Sequence, residues 1–307
     1  MKQAIVTGST GLIASGLVEC LLNNNISVIA LGRKKIEDSR LQHLQSNIRL
    51  QYLQMEMSEI ASLEQMLQQN NWDSNLETVF YHFAWSGKNR LADGSVQEQF
   101  ENVTYSSNAL ILAQKLGCSK FVNAGSQEER FVDVYLKNHW EKQSYHSNMG
   151  TYASAKASAR DMCLLLGYLN KIDYVHTRIS VIIEDDLATN NYIQSVLKKI
   201  LNDESFDAPL NNQLFDFISK KECAELFYRI GKSGKNKSDY FLGTGNPKTL
   251  IEFFNQFSQE TKGEKVNGLE EINTSDKILE LEDFDISNLI KDIDYTPKAL
   301  NFKSFIL

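Results

Sequence analysis

The chain has 307 residues, 42% hydrophobic and 23% charged, enough for one large α/β unit plus a smaller lobe around a substantial core. A formal charge of −7 lacks the basic face of a nucleic-acid binder, and no window reaches the ~20 apolar residues that span a bilayer. The N-terminus carries no secretory pattern and the four cysteines (Cys20, Cys118, Cys163, Cys223) have no metal or redox spacing, which reads as a cytoplasmic protein with reduced core thiols.

Short β-branched or aromatic runs at 4–6, 27–31, 48–53, 78–83, 120–122 and 173–179 alternate with longer stretches of helical spacing. Strands separated by helices predict βαβ units and a parallel, doubly wound sheet, and the nearly continuous apolar character of several runs predicts cover on both faces. A helix over 96–116 carries one apolar stripe through Phe100, Val103, Leu110 and Ala113 and a second through Tyr105, Ala109 and Leu112, with Gly117 as its stop. The helix over 151–169 is apolar around much of its circumference. Spare apolar faces on both helices point to a homodimer or to burial within the chain. Beyond residue 180 the pattern predicts helices at 192–201, 221–230 and 250–257, a strand at 240–243, and solvated loop and helix surface over the acidic stretch 270–285. The expected organisation is a nucleotide-binding domain over 1–178 with 214–243 returning to it. An interleaved substrate lobe takes 179–213 and 244–307.

The first strand runs directly into Thr7-Gly8-Ser9-Thr10-Gly11-Leu12-Ile13-Ala14. A strand, a glycine turn and a helix start suit a dinucleotide pyrophosphate: Gly8 permits the turn, Gly11 lets backbone N–H groups approach the phosphates, and the helix N-terminus supplies partial positive charge. Cofactor contacts are expected at Gly8, Thr10, Gly11, Leu12 and Ile13. After the second strand come Arg33, Lys34 and Lys35, with no carboxylate before Glu37. Cations in place of an acid favour a ribose 2′-phosphate, hence NADP(H) over NAD(H). Met57 after the third strand and Ala84 after the fourth extend the expected cofactor path, with Ser86 facing substrate.

Tyr152 and Lys156 stand four residues apart, on one face of a helix. A nearby ammonium favours the phenolate, so this tyrosine is expected to have a lowered pKa and to move an alcohol proton during hydride transfer. Ser126 ends the fifth strand, where ligands of open α/β sheets bind, and is expected to hold the reacting oxygen with Gln127 and Glu128 beside it. Ile179, at the end of the sixth strand, completes the expected cofactor contacts together with Tyr152 and Lys156.

In order and spacing these motifs resemble the extended short-chain dehydrogenase/reductase family, also called the NAD-dependent epimerase/dehydratase family. The resemblance rests on the glycine turn, His82-Phe-Ala84, Asn102, Ser126, Tyr152 with Lys156, Phe215 to Ile218, and Tyr240 to Gly245 with Thr249-Leu250. It implies a Rossmann fold, Tyr152 as acid or base, Lys156 as its activator, Ser126 as substrate anchor and a nucleotide-diphosphate sugar as substrate. Two departures stand out. The loop after Arg178 lacks the family's tyrosine, glycine and proline, and Gln127-Glu128 replaces the Asp-Glu pair that 4,6-dehydratases use. The leading expectation is an NADP-dependent keto-sugar reductase; the alternatives are a nucleotide-sugar epimerase or dehydratase and, in another class, a non-catalytic NADP(H) sensor. The five histidines show no metal spacing, and no metal is expected.

Overall fold

Strand β1 (Gln3–Thr7) is buried along its length, and its alternation divides the core. Ala4 and Val6 enter one apolar cluster and Ile5 another, on opposite faces of the sheet. The computed structural model describes residues 1–69, 73–87, 95–138, 150–189, 191–210, 212–270 and 279–305. Strands β2 (Ser27–Gly32), β3 (Leu50–Gln54), β4 (Thr78–His82), β5 (Lys120–Ser126) and β6 (Asp173–Ile179) join β1 in chain order. After a short parallel pair, β7 (Val181–Ile183) with β8 (Phe217–Ser219), strand β9 (Asp239–Leu242) returns to the main sheet. The main sheet is parallel throughout and runs β3-β2-β1-β4-β5-β6-β9, so the strand order reverses between β1 and β4. This is a Rossmann-type sheet, and the crevice at that reversal is where such sheets bind ligands.

One face is covered by α1 (Leu12–Asn23) through Leu17, Val18 and Leu21, packed against Leu226, Phe227 and Ile230 of α7 (Lys220–Ser233). The other face carries α2 (Leu63–Gln69), α3 (Val96–Lys115) and α5 (Gly150–Asn170), with Ala109, Leu110 and Ala113 of α3 meeting Phe80 and Phe121 of the strands. Between β5 and α5 lies α4 (Glu128–Asn138). A third core joins α6 (Tyr192–Leu201) and α8 (Leu250–Lys262) through Leu197, Ile200, Phe254 and Phe257. The last helix, α9 (Ser287–Ile293), sends Leu289 and Ile293 into the first cluster. The elements of this third core, with the β7–β8 pair, form the additional C-terminal lobe.

Local chemistry sets the helix ends. Ser95 caps α3 by accepting from Glu98 N at 3.1 Å, and Gly117 takes the left-handed conformation (φ 77°) just past its end. Thr249 and Glu252 form a capping box on α8, which Gly263 terminates. The buried Asp216 carboxylate accepts from Phe217 N, Thr244 N, Thr244 Oγ1 and Gly245 N, fastening the start of β8 to the turn after β9.

Several sequence expectations shift. β3 begins at Leu50, because Ile48 lies in a turn and is almost fully exposed. Helix α4 is absent from the sequence expectations. Most of both stripes of α3 are buried inside the chain, leaving Val96 and Phe100 exposed, whereas α5 presents Met162, Leu165, Tyr168 and Leu169 to solvent. Within the acidic stretch, 271–278 lies outside the described residues, and Leu281–Phe284 forms a 3-10 turn that buries Phe284.

Candidate active site

The turn after β1 is fixed before any ligand enters. Ser9 N and Ser9 Oγ both donate to Leu31 O at 2.9 Å, tying the turn to β2. Gly8 has φ 63°, and a Cβ there would lie 2.8 Å from Ala84 N, so only glycine fits. Gly11 is the N-cap of α1 and no side chain caps that helix, leaving the donors of its first turn for an anion. A cavity of about 260 Å³ opens at this point, lined by Gly8, Thr10, Gly11, Arg33, Met57, Ala84 and Ser86 among others. These seven were expected from the sequence. Leu12, Ile13 and Lys34 do not line it; Leu12 and Ile13 pack on the core instead. The glycine cradle and the uncapped helix start fit the pyrophosphate of a dinucleotide.

The second part of the site lies at the ends of β5 and β6. Ser126 faces Ile179 across the β5–β6 pair, and Gln127 N donates to Ile179 O at 3.0 Å. Tyr152 and Lys156 sit on the face of α5 turned toward this edge, and both are nearly buried. The Tyr152 phenol hydrogen-bonds the Ser126 side chain. Lys156 Nζ donates to Ala124 O at 2.6 Å and lies 3.9 Å from the centroid of the Trp85 ring. Glu128 N donates to Ser126 Oγ at 3.2 Å, so the serine hydroxyl also starts α4. The structure thus brings Ser126, Tyr152 and Lys156 together, with Gln127 and Glu128 following Ser126 on the same turn.

Electrostatics depart from the sequence reading at Tyr152. Burial pushes its phenol well above the usual tyrosine range, against a lowering by the Ser126 hydrogen bond and with further raising by Glu129 and Glu128. The expected lowering does not prevail: burial is the larger effect, and Lys156 Nζ donates to Ala124 O and lies against the indole face, 5.9 Å from the Tyr152 ring centroid. Burial also brings Lys156 down to about 8, opposed by the charge of Glu129. Tyr152 therefore rests as a neutral phenol, able to donate a proton.

Two contributors escape a reading of the sequence. Glu129 is fully buried beneath Ser126: Oε1 accepts from Ser126 N at 2.8 Å and Oε2 lies 2.9 Å from His176 Nε2. His176 Nδ1 continues to Tyr174 Oη at 3.2 Å. Tyr105 of α3 lines the cofactor cavity beside Asn102, whose amide bridges Ser86 N and Ser86 O. Only tertiary pairing reveals Glu129, since an acid two residues into a helix is ordinary first-turn chemistry. Arg178, which precedes the atypical loop, pairs its Nε with Asp239 at 2.9 Å. Among the described residues no group of His, Cys, Asp or Glu is arranged to hold a metal ion. No described helix is long and apolar enough to cross a membrane.

The pattern of the NAD dependent epimerase/dehydratase family matches residues 4–243. The chain belongs to that family. It is 23% identical over 274 residues to CDP-abequose synthase of Salmonella muenchen, covering 87% of this chain and 83% of that protein. Among solved structures it resembles dTDP-glucose 4,6-dehydratase of Bacillus anthracis in complex with NAD (TM-score 0.74, 16% identity, 99% and 94% of the two chains covered). It also resembles UDP-glucuronic acid 4-epimerase of Bacillus cereus in complex with NAD (TM-score 0.72, 17% identity, 99% and 94% covered).

These likenesses overturn the expectation of NADP(H): the similar structures carry NAD. The fold supplies the physical reason. Arg33 and Lys34 are exposed, and what is fixed there is their backbone, with Gln54 Nε2 donating to Arg33 O at 2.9 Å and Tyr52 Oη donating to Lys34 O. The basic run is exposed, and of its three cations Arg33 alone lines the cavity.

Proposed function

We propose that the protein is an NAD-dependent epimerase of a nucleotide-diphosphate sugar, oxidising a ring carbinol and returning hydride to the opposite face. The observation that carries this reading is the hydrogen-bonded Ser126–Tyr152 pair, with Lys156 behind it, set beside a glycine-cradled cavity in one crevice. Family membership supports it. Gln127 counts against 4,6-dehydration, because an amide cannot protonate a leaving hydroxyl.

Bound NAD would supply the hydride acceptor and, in the second half of the cycle, the donor. The rest falls to the chain. Gly8, Gly11 and the start of α1 hold the pyrophosphate. Tyr152 acts from its phenolate, its own proton having gone to solvent: Oη takes the proton of the substrate hydroxyl as the carbinol becomes a ketone, and gives it back when the carbinol re-forms. Ser126 Oγ hydrogen-bonds that same oxygen, and the Lys156 ammonium favours the phenolate that stands before the proton is taken and again after it is returned. Ser86, Gln127 and Glu128 are proposed to face the sugar, and Ile179 the cofactor.

A second copy of the chain is proposed to cover Met162, Leu165, Tyr168 and Leu169, an apolar row along α5 that a homodimer would bury.

The test is to incubate the protein with NAD and a panel of UDP-, dTDP- and CDP-linked sugars and follow the sugar by NMR. New ring-proton signals without net NADH formation are expected. Consumption of NADH with a 4-keto sugar and no epimerisation would replace epimerisation with reduction. No conversion of any sugar, with NAD bound, would point to cofactor sensing.

A further inference from the structure

The loop after β4 places a large aromatic ring where it meets the lysine of the site. Trp85 follows Ala84, whose N–H donates to Thr7 Oγ1 at 3.2 Å, so the backbone that carries the indole is tied to β1. The ring is fixed at its far edge as well: Trp85 Nε1 donates to Oε1 of the fully buried Gln99 at 2.8 Å. Its face then lies 3.9 Å from Lys156 Nζ, and the ring meets Tyr152 edge-on at 5.9 Å and 86°.

Lys156 needs such a neighbour. Its side chain is buried, and among the described residues its one hydrogen bond goes to a neutral carbonyl, Ala124 O. Among the described residues no carboxylate forms an ion pair with it. Glu129 of α4 is the acid whose charge acts on it, but that carboxylate is committed to Ser126 N and His176. Among the described residues His82 of β4 and Tyr152 of its own helix are further titratable neighbours. A buried ammonium without a counter-ion is costly, and the electron-rich face of an indole is the side-chain surface best suited to offset that cost without proton exchange.

We propose that Trp85 is a positioning residue of this site, holding the Lys156 ammonium charged and aimed beside Tyr152 through the face of its indole, with Gln99 fixing the ring. The inference rests on the proposed role of Lys156 and adds to it the group that keeps that lysine a cation in a dry pocket. It also gives Oε1 of the buried Gln99 a role, fixing the edge of the ring.

The experiment is a titration of Lys156 in the full chain without added nucleotide, read from ¹³C-labelled lysine by NMR and assigned with Lys156→Met. Position 85 is occupied in turn by tryptophan and by tryptophans bearing increasing numbers of fluorines, which drain the ring face of electron density while keeping its shape. The Lys156 midpoint should fall stepwise along the series, by about one pH unit overall, the size of a desolvated cation–π contact. Trp85→Phe, which keeps a weaker face, should fall between tryptophan and Trp85→Leu. A flat fluorine series overturns the proposal, and because those side chains are nearly isosteric it does so even if Trp85→Leu fails to fold. Equal midpoints for Trp85→Phe and Trp85→Leu also overturn it. Turnover on the identified sugar should follow the midpoint, with substrate KM changing less than kcat. An inactive wild-type protein would sink the functional proposal and leave the titration result standing, so the two failures are separable.

Discussion

Thr7 Oγ1 lies 2.9 Å from His82 Nδ1, and the same hydroxyl accepts from Phe83 N and Ala84 N at 3.2 Å. One threonine side chain therefore locks the C-terminal ends of β1 and β4 together at the point where the strand order reverses. His82 Nε2 reaches onward to Ser106 Oγ of α3 at 3.1 Å. The crevice thus has a built floor rather than a gap between two strands.

That floor is acid-sensitive. Burial, reinforced by the charge of Lys156, brings His82 down to about 3 from its ordinary 6.5. Between those values the unfolded chain binds a proton that the folded chain does not, so stability falls as pH drops from 6.5 toward 3. Urea unfolding across this range should show a steep decline for the wild type and a flatter one for His82→Gln. Equal slopes would show that His82 does not govern the acid limb.

Removal of the Tyr152 hydroxyl should separate chemistry from binding. Tyr152→Phe should retain NAD affinity and the fold while turnover drops about 10²–10⁴-fold, the usual range for general acid–base catalysis. Lys156→Ala should lose turnover and NAD affinity together, and Ser126→Ala should fall between the two in rate. Steady-state kinetics and calorimetric NAD titration decide this; a Tyr152→Phe protein at near wild-type rate would end the proposed mechanism.

Gly8→Ala should be disproportionately harmful for one methyl group. The positive φ alone costs about 1–2 kcal/mol for an L-residue, and the new Cβ would press on Ala84 N. Thermal unfolding should show the stability loss, and NAD binding should weaken with it, because Ala84 and Gly8 line the same cavity. Unchanged NAD affinity would remove the turn from the cofactor site.

For the proposed dimer, Leu165→Glu places a charge in the middle of the exposed row on α5 without touching the core. Light scattering should report a dimer for the wild type and a monomer for the variant. A wild-type monomer at micromolar concentration would refute the pairing.

The sheet is legible in the sequence because β1, β2, β4, β5 and β6 carry dense apolar runs whose burial leaves little alternative. Tyr152 with Lys156 is legible for a similar reason: four residues on a helix fix a shared face. The cofactor is not, because a count of charges cannot tell a ribose 2′-phosphate site from an exposed basic turn beside the cavity, and Arg33 and Lys34 are exposed. The three-residue β7 and β8 are too short to signal themselves and exist because their chain segments meet. Trp85 over Lys156, and Glu129 against His176, join residues far apart in sequence, which no local pattern encodes.

The pairing of β9 with β6 has a consequence during synthesis. Strand β6 is complete at Ile179, but its partner ends at Leu242, after roughly 60 further residues have left the ribosome. At ordinary translation speeds of about 5–20 residues per second, β6 stands for roughly 3–12 s as an open edge, long enough to recruit a foreign strand. The nascent chain passes through its most aggregation-prone state there, and silent codon changes that slow residues 180–242 should lower the yield of folded protein without altering one atom of the product.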